Sequence, residues 1–186
     1  MIQRRVLYLR DAEAARGDHG AALGCLAAGL APTEPEQSRM YIGESLALND
    51  ALGGVVVDEN ALSMVLMASA VLGERDDALA QCDRALRHGL SLVVATCACL
   101  EATADTLAGE APEVAVVLQG AVDALLPGFD RAEPNATLRH RANAAIVMQL
   151  DATRVAELAA QGAAMSEDQA AAFALEAIGR AIGRAI

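Results

Sequence analysis

Cysteine is the residue of this chain with the most specific chemistry, and its spacing argues against a metal site. Cys97 and Cys99 lie two residues apart. On an α-helix that spacing separates the two side chains by about 200°, so both thiolates would not face one ion. Cys25 and Cys82 lie on apolar stretches, and all four thiols are predicted to be reduced core residues. We therefore expect no bound metal.

The histidines and one acidic cluster likewise give little indication of a metal-binding site. His19, His88 and His140 have no cysteine or second histidine at ligand spacing. His88 falls in a predicted last helical turn, where it would interact with the free carbonyls and the helix dipole. The acidic residues at 74–77 open a predicted helix, where the dipole favours negative charge, and they lack the alternating oxygen ligands of a calcium loop.

All 14 basic residues are arginine, so the chain contains no lysine. A P-loop requires a lysine on the phosphates, and Schiff-base chemistry requires a lysine amine. With three scattered histidines as the remaining bases near neutrality, no triad or carboxylate pair can be assembled. We predict a protein that is not an enzyme and that needs no cofactor.

Charge is distributed unevenly along the chain. The net charge is −11, which argues against direct nucleic-acid binding. The segment 131–154 is different, with four arginines against two carboxylates. Two interpretations stay open: these residues pair with acidic neighbours inside the fold, or they form a docking patch for an acidic partner. The patch would consist of Arg131, Arg139, His140, Arg141 and Arg154.

The elements that must position these residues are predicted to be helices. Hydrophobic residues make up 54% of the chain, aromatic residues only 2%, and 43 residues are alanine, which has the highest helix propensity. The only β-branched run lies at 53–58. Apolar periodicity and capping signals place helices near 2–16, 18–31, 34–52, 59–72, 74–88, 90–108, 112–126, 135–150, 151–161 and 167–184.

The apolar stretches are too short for a membrane protein. The longest, 89–100, falls below the roughly 18 residues that a membrane span needs. The N-terminal apolar run ends within five residues, short of the roughly 7–15 of a secretory signal. We expect a soluble, cytoplasmic protein that does not bind membranes.

A shared spacing marks three segments as copies of one helical unit. In the clearest copy, small or aliphatic residues follow a glycine at offsets of five, twelve and thirteen. Residues seven apart lie on one helix face, so these positions allow a second helix to pack closely on a first. A period of 36 residues, from Gly73 to Gly109, is typical of repeat arrays. The repeat positions are Gly17 and Ala22, then Gly73, Ala78, Ala85 and Leu86, then Gly109.

The segment LGERDDALAQCDRAL, residues 72–86, resembles the tetratricopeptide repeat, whose second helix follows G-[DN]-x-x-x-A-x6-A-[LI]. The order of segments 44–54, 59–89, 107–126 and 150–177 resembles the C-terminal helical-repeat region of large actinobacterial LuxR-type regulators and related signalling ATPases. Those proteins also carry an ATPase module and usually a DNA-binding domain, neither of which is in this chain. The resemblance therefore implies a helical sensor or interaction module.

These observations predict an all-α protein of stacked antiparallel helical hairpins, a TPR-like right-handed superhelix. It would form one domain over residues 1–186, with 166–186 as a capping helix. The predicted function is a non-enzymatic scaffold that binds a protein or peptide in bacterial signalling or transcriptional regulation; a homodimer is also compatible. The alternative is a small-molecule sensor with an apolar pocket between helices 59–72 and 90–108, lined by Met64 and Met67.

Overall fold

The structure, a computed structural model, describes residues 19–51, 59–131 and 133–183, and the side chains of Asn60 and Arg131 are outside that description. The prediction of an all-α protein is confirmed, because every regular element in these ranges is helical. The predicted helix at 2–16, Gly17, the run at 53–58 and the last three residues of the tail lie outside the described residues.

Nine α-helices and one short 3-10 helix make up the described chain. Their limits lie within about three residues of the predicted ones, except that the helix predicted at 135–150 ends at Ile146. They are α1 (19–30), α2 (Pro35–Ala51), α3 (Glu59–Val71), α4 (Arg75–His88), α5 (Val93–Leu107), α6 (Pro112–Leu125), the 3-10 helix (Phe129–Arg131), α7 (Asn135–Ile146), α8 (Ala152–Ala163) and α9 (Glu167–Ala181).

Local sequence explains where several of these helices begin and end. Gly73 and Gly89 follow α3 and α4 with φ of 75° and 81°, a conformation that glycine adopts without the cost of a Cβ. The predicted capping box before α9 is confirmed: Ser166 Oγ accepts the Gln169 amide, and Gln169 Oε1 accepts the Ser166 amide at 2.8 Å. Asp151 caps α8 by accepting the Arg154 amide at 2.9 Å.

Helix α5 is the centre of the fold. It packs against α3, α4, α6, α7 and α9, and all but one of its residues from Ala95 to Leu107 are buried. The main core therefore runs from α3 to α9. This explains why the 90–100 segment is apolar on nearly all sides: a helix that is covered on every side has no solvent-facing polar stripe.

A second, smaller core joins α1, α2 and α3. It contains Ala27, Ile42, Val65 and neighbouring alanines. Two buried serines of α2 complete it: Ser38 Oγ donates to the Ala27 carbonyl at 2.8 Å, and Ser45 Oγ donates to the Gly20 carbonyl at 3.2 Å. These short side chains satisfy their own hydroxyls while they hold α2 close to α1.

The repeat positions behave differently in the three copies. In α4, Ala78 and Ala85 are completely buried and Leu86 is nearly so. In the first copy Ala22 is exposed, and α1 instead buries Gly20, Leu23, Gly24, Ala27 and Ala28. In the third copy, Gly109 is exposed and is not among the glycines with positive φ, but Ala121 and Val122, twelve and thirteen residues later, are fully buried. The packing seam predicted from the spacing is thus formed in α4 and α6 and departs from the prediction in α1.

The later helices depart from a simple series of hairpins. Helix α7 packs on α5, whereas α8 packs on α6, where two glycines bring the backbones together. A Cβ on Gly120 would overlap the Ala159 backbone, and one on Gly162 would overlap the Val117 carbonyl. Helix α9 then returns to lie against α4, α5 and α6. It therefore lies against the central helix α5 and the two helices that flank α5 in the chain.

Candidate functional site

An open groove lies between α2 and α4, with α3 at its base. We call it the α2–α4 groove, and its volume is about 340 Å³. Its walls combine aliphatic and charged side chains at helical spacing, so one stripe of each helix faces the opening. The lining residues are Ile42, Leu46 and Asp50 of α2, Ser69 of α3, and Glu74, Asp77, Ala80, Gln81 and Arg84 at the start and along the length of α4.

Ion pairs cross this groove at both ends. Arg39 Nε donates to Glu74 Oε1 at 2.6 Å, and at the other end an Arg84 nitrogen lies 3.2 Å from Asp50 Oδ1. Both pairs are largely open to solvent, so each contributes little stability, at most about 1 kcal/mol. Both pairs bridge α2 and α4 through long side chains.

The base of the groove contains polar atoms. Ser69 is fully buried, and Gln81 Nε2 donates to its hydroxyl at 3.3 Å. Within the described residues, the buried Gln81 Oε1 has no hydrogen-bond partner and Asp77 has no ion pair. A buried amide oxygen without a donor is unfavourable. Asp77 is exposed, so this wall of α4 presents a free negative charge to whatever enters the groove.

The neighbouring gap, between α4 and α6, contains α9. Helix α9 faces α4, α5 and α6 with small residues, Ala170, Ala174 and Ala177, and with the fully buried Ile178. Its first turn is fixed to α5, because the Thr96 hydroxyl donates to Glu167 at 2.7 Å. Helix α4 thus borders the open α2–α4 groove and also contacts α9.

The arginines predicted as a docking patch are engaged within the fold. Arg139 makes two hydrogen bonds of 2.8 Å to the fully buried Glu101 and also contacts Asp123. Arg141 binds both oxygens of Asp105, and Arg154 binds Glu113 at 2.9 Å and Glu157 at 3.3 Å. The other two patch residues are His140, which is exposed, and Arg131, whose side chain is not described. This geometry agrees with pairing inside the fold.

Arg141 also closes the end of another helix. It donates to the Val71 carbonyl at 3.1 Å and to the Ala70 carbonyl, which also accepts the Gly73 amide, in the last turn of α3. Together with Asp105 it therefore connects α3, α5 and α7. Burial raises the pKa of both Glu101 and Asp105, against the lowering effect of their arginine partners.

The cysteines and histidines do not converge on a site. Burial raises the pKa of the Cys97 thiol to about 12, with smaller contributions from Glu167 and Glu101, so that thiol stays protonated at neutral pH. Cys82 and Cys99 are buried as predicted, whereas the prediction of a core residue is wrong for Cys25, which is exposed. All three histidines are exposed, and no group of three potential metal ligands occurs among the described residues.

The two methionines predicted to line a pocket lie at the join between the cores. Met67 is fully buried in the main core, and Met64 is half-buried, packing against both cores and beside Gly24 of α1. Neither side chain lines the α2–α4 groove, the cavity beside Arg141 or the cavity beside Arg75.

Sequence reasoning missed the α2–α4 groove. Leu46 and Gln81 carry no motif, and their role depends on α2 and α4 standing apart. One signal was available: Asp77 and Gln81 are four residues apart on α4, next to the seam of Ala78 and Ala85, so they form the border between its buried and solvated faces.

Two negative findings complete the description. Among the described residues, no helix combines the length and the apolar character that crossing a bilayer requires. Comparison of the chain with protein-family models, with curated proteins and with solved structures finds no match.

Proposed function

We propose that this protein is a non-enzymatic helical-repeat scaffold that binds another protein. The observation that carries the proposal is a series of ion pairs along one edge. They join the starts of α2 and α4 (Arg39–Glu74), of α4 and α6 (Arg75–Glu110, 2.7 Å), and of α6 and α8 (Glu113–Arg154, 2.9 Å). Even-numbered helices whose first turns are aligned in this way support a stacked, TPR-like array.

The sequence and the ion pairs agree on the period of this array. Arg39 and Arg75 are 36 residues apart, as are Glu74 and Glu110, and the same interval separates Gly73 from Gly109. In a repeat array each unit packs only against its neighbours, so the array presents an extended surface that can bind a partner.

The resemblance of the chain to the helical region of LuxR-type regulators and signalling ATPases supports a narrower role. We propose that the partner belongs to bacterial signalling or transcriptional regulation, and that the chain contributes recognition while other proteins contribute catalysis or DNA binding. The overall negative charge agrees with a protein partner and disfavours direct contact with nucleic acid.

The proposal is tested by in-cell cross-linking of the full chain, followed by mass spectrometry and by calorimetry with each purified candidate. We expect at least one purified protein to bind with a dissociation constant in the micromolar range or below, about −8 kcal/mol. A thermal-shift screen against metabolites runs in parallel. A reproducible metabolite hit without any protein binding would replace the scaffold with the small-molecule sensor.

A further inference from the structure

We propose that the α2–α4 groove binds an alanine-rich helix of the partner protein that carries a basic residue towards one end. This inference rests on the proposed function and specifies its site. The precedent is internal, because an alanine-rich helix, α9, already packs against α4 together with α5 and α6. The α2–α4 groove, between α4 and α2, is open.

The dimensions of the groove suit about three turns of helix. Its end pairs involve Arg39 and Asp50 of α2, eleven residues apart, which corresponds to roughly 16 Å along the helix axis. The Arg39–Glu74 pair joins the starts of α2 and α4, and the Arg75–Glu110 pair joins the starts of α4 and α6 in the same way. Helices that are bridged by such long side chains leave room for a third helix between them.

The lining predicts which residues the incoming helix presents. Ile42 and Leu46 supply an aliphatic wall, and Ala80 and Ser69 leave space for close approach. Ala170, Ala174 and Ala177 of α9 make this close approach possible in the neighbouring gap. A helix with alanines at the same intervals of three and four residues would fit the α2–α4 groove in the same way.

The charges of the groove predict the polar part of the ligand. Glu74 and Asp50 are neutralised by Arg39 and Arg84, which leaves Asp77, in the first turn of α4, as a groove carboxylate without an ion pair among the described residues. Gln81, one turn further on, also lines the groove. An arginine or lysine at the end of the incoming helix that lies beside this first turn would pair with Asp77.

Two synthetic peptides with sequences derived from α9 test the inference with the full chain. The basic peptide has the sequence of residues 168–181 with Asp168→Arg, Glu176→Arg and Gly179→Ala; the acidic peptide carries Gly179→Ala alone. In fluorescence anisotropy we expect the basic peptide to bind and the acidic peptide to bind about tenfold more weakly. With the variant Asp77→Arg the preference should reverse. Circular dichroism and urea unfolding verify that each variant is folded.

The matched control is Asp76→Arg, in the same first turn of α4. The Asp76 side chain is 88% exposed, pairs with its neighbour Arg75, and lies beside Ala181 and Ile182 rather than in the lining of the α2–α4 groove. Both variants have the same effect on the helix dipole, so the affinity of the basic peptide should change less than about twofold with Asp76→Arg. Equal loss in both variants would show a general charge effect and overturn the inference.

Other outcomes also decide the matter. No binding of the basic peptide, or equal binding to wild type and Asp77→Arg, would exclude the groove; the second result would indicate displacement of α9. A wild-type dimer that Asp77→Arg converts to a monomer in sedimentation would assign the groove to a second copy. If a partner protein bound wild type and Asp77→Arg with equal affinity, the scaffold function would stand and the groove would not be its binding site. If the peptides bound in a charge-dependent way but no partner protein were found, the scaffold function alone would be contradicted.

Discussion

Glu101 of α5 and Arg139 of α7 form a bidentate ion pair in the interior of the protein, with both hydrogen bonds at 2.8 Å. The side chain of Glu101 is 0% exposed and that of Arg139 is 11% exposed. Two charges removed from water repay their desolvation only when the geometry is good and their other hydrogen bonds are satisfied. The pair therefore fixes the position of α7 on the central helix and leaves either residue costly to remove.

The first prediction concerns the removal of one charge from this pair. Glu101→Gln keeps the shape of the side chain but leaves the Arg139 guanidinium in the interior without its buried counter-ion. We expect the free energy of unfolding to fall by about 3 kcal/mol, measured by urea denaturation at neutral pH. Glu113→Gln is the matched control, since Glu113 pairs with Arg154 at the surface, and it should cost less than about 1 kcal/mol.

A double variant separates charge from packing. Replacing Glu101 with leucine and Arg139 with methionine removes both charges and keeps most of the volume, so stability should return towards that of the wild type. If Glu101→Gln were no more harmful than Glu113→Gln, the buried pair would not hold α7 in place.

The second prediction is a pH dependence that arises from Glu59, the first residue of α3. Its carboxylate accepts the Ser91 amide and hydroxyl at 2.8 and 2.7 Å and the Leu92 amide at 2.8 Å, just before α5. Burial works to raise the pKa of Glu59, but these hydrogen bonds outweigh it and lower the pKa from its ordinary value of 4.5.

A carboxyl whose pKa is lower in the folded state than in the unfolded state stabilises the fold when the pH is above its unfolded-state pKa. This stabilisation is lost as the pH falls through its folded-state pKa. Glu59→Gln should therefore reduce the free energy of unfolding by about 1 kcal/mol at neutral pH. The difference from wild type should narrow below pH 4.5, when Glu59 itself becomes protonated. The control is Glu44→Gln at an exposed position of α2, for which a constant, negligible difference is expected. A difference for Glu59→Gln that does not vary with pH would contradict this account.

The positions of the helices could be predicted from sequence because their ends have local causes. Gly73 adopts a positive φ that favours glycine, and Ser166 with Gln169 satisfies the free amides of a helix start, so both signals act within a few residues. The narrow apolar seam of α4, with Ala78 and Ala85, likewise follows from helical periodicity alone.

The groove and the interior ion pairs could not be predicted, because they depend on contacts between distant residues. Arg139 and Arg141 are on a charged segment that is consistent with a surface patch, and only the docking of α7 on α5 brings them to Glu101 and Asp105, 38 and 36 residues earlier. The α2–α4 groove is open because α9 packs on α4, α5 and α6 and does not cover it. Nothing in the sequence of α9 itself indicates which helices it will contact.

The third prediction tests the close approach of α6 and α8. A Cβ on Gly162 would overlap the Val117 carbonyl, an immobile backbone atom, so Gly162→Ala must displace α8. We expect a loss of about 2–3 kcal/mol in the free energy of unfolding. Gly43→Ala in α2 is the control, because no atom lies within 4 Å of its added methyl group, and it should raise stability by about 0.5–1 kcal/mol through helix propensity. Gly162→Ala with stability equal to wild type would mean that the helices are farther apart.

The fourth prediction concerns thiol reactivity, which distinguishes the surface of α1 from the core. A thiol reacts through its thiolate, so the reagent must reach the sulfur and the pKa of the thiol must be low enough for some thiolate to form. Cys25 is exposed, whereas Cys82, Cys97 and Cys99 are buried and the pKa of Cys97 is raised to about 12. The native protein should therefore react rapidly with one equivalent of a thiol reagent at neutral pH, and Cys25→Ser should remove that reaction. In denaturant all four thiols should react. Rapid modification of the native Cys25→Ser variant would show that the core between α4 and α5 opens, because Cys82 packs there against the Cys99 carbonyl.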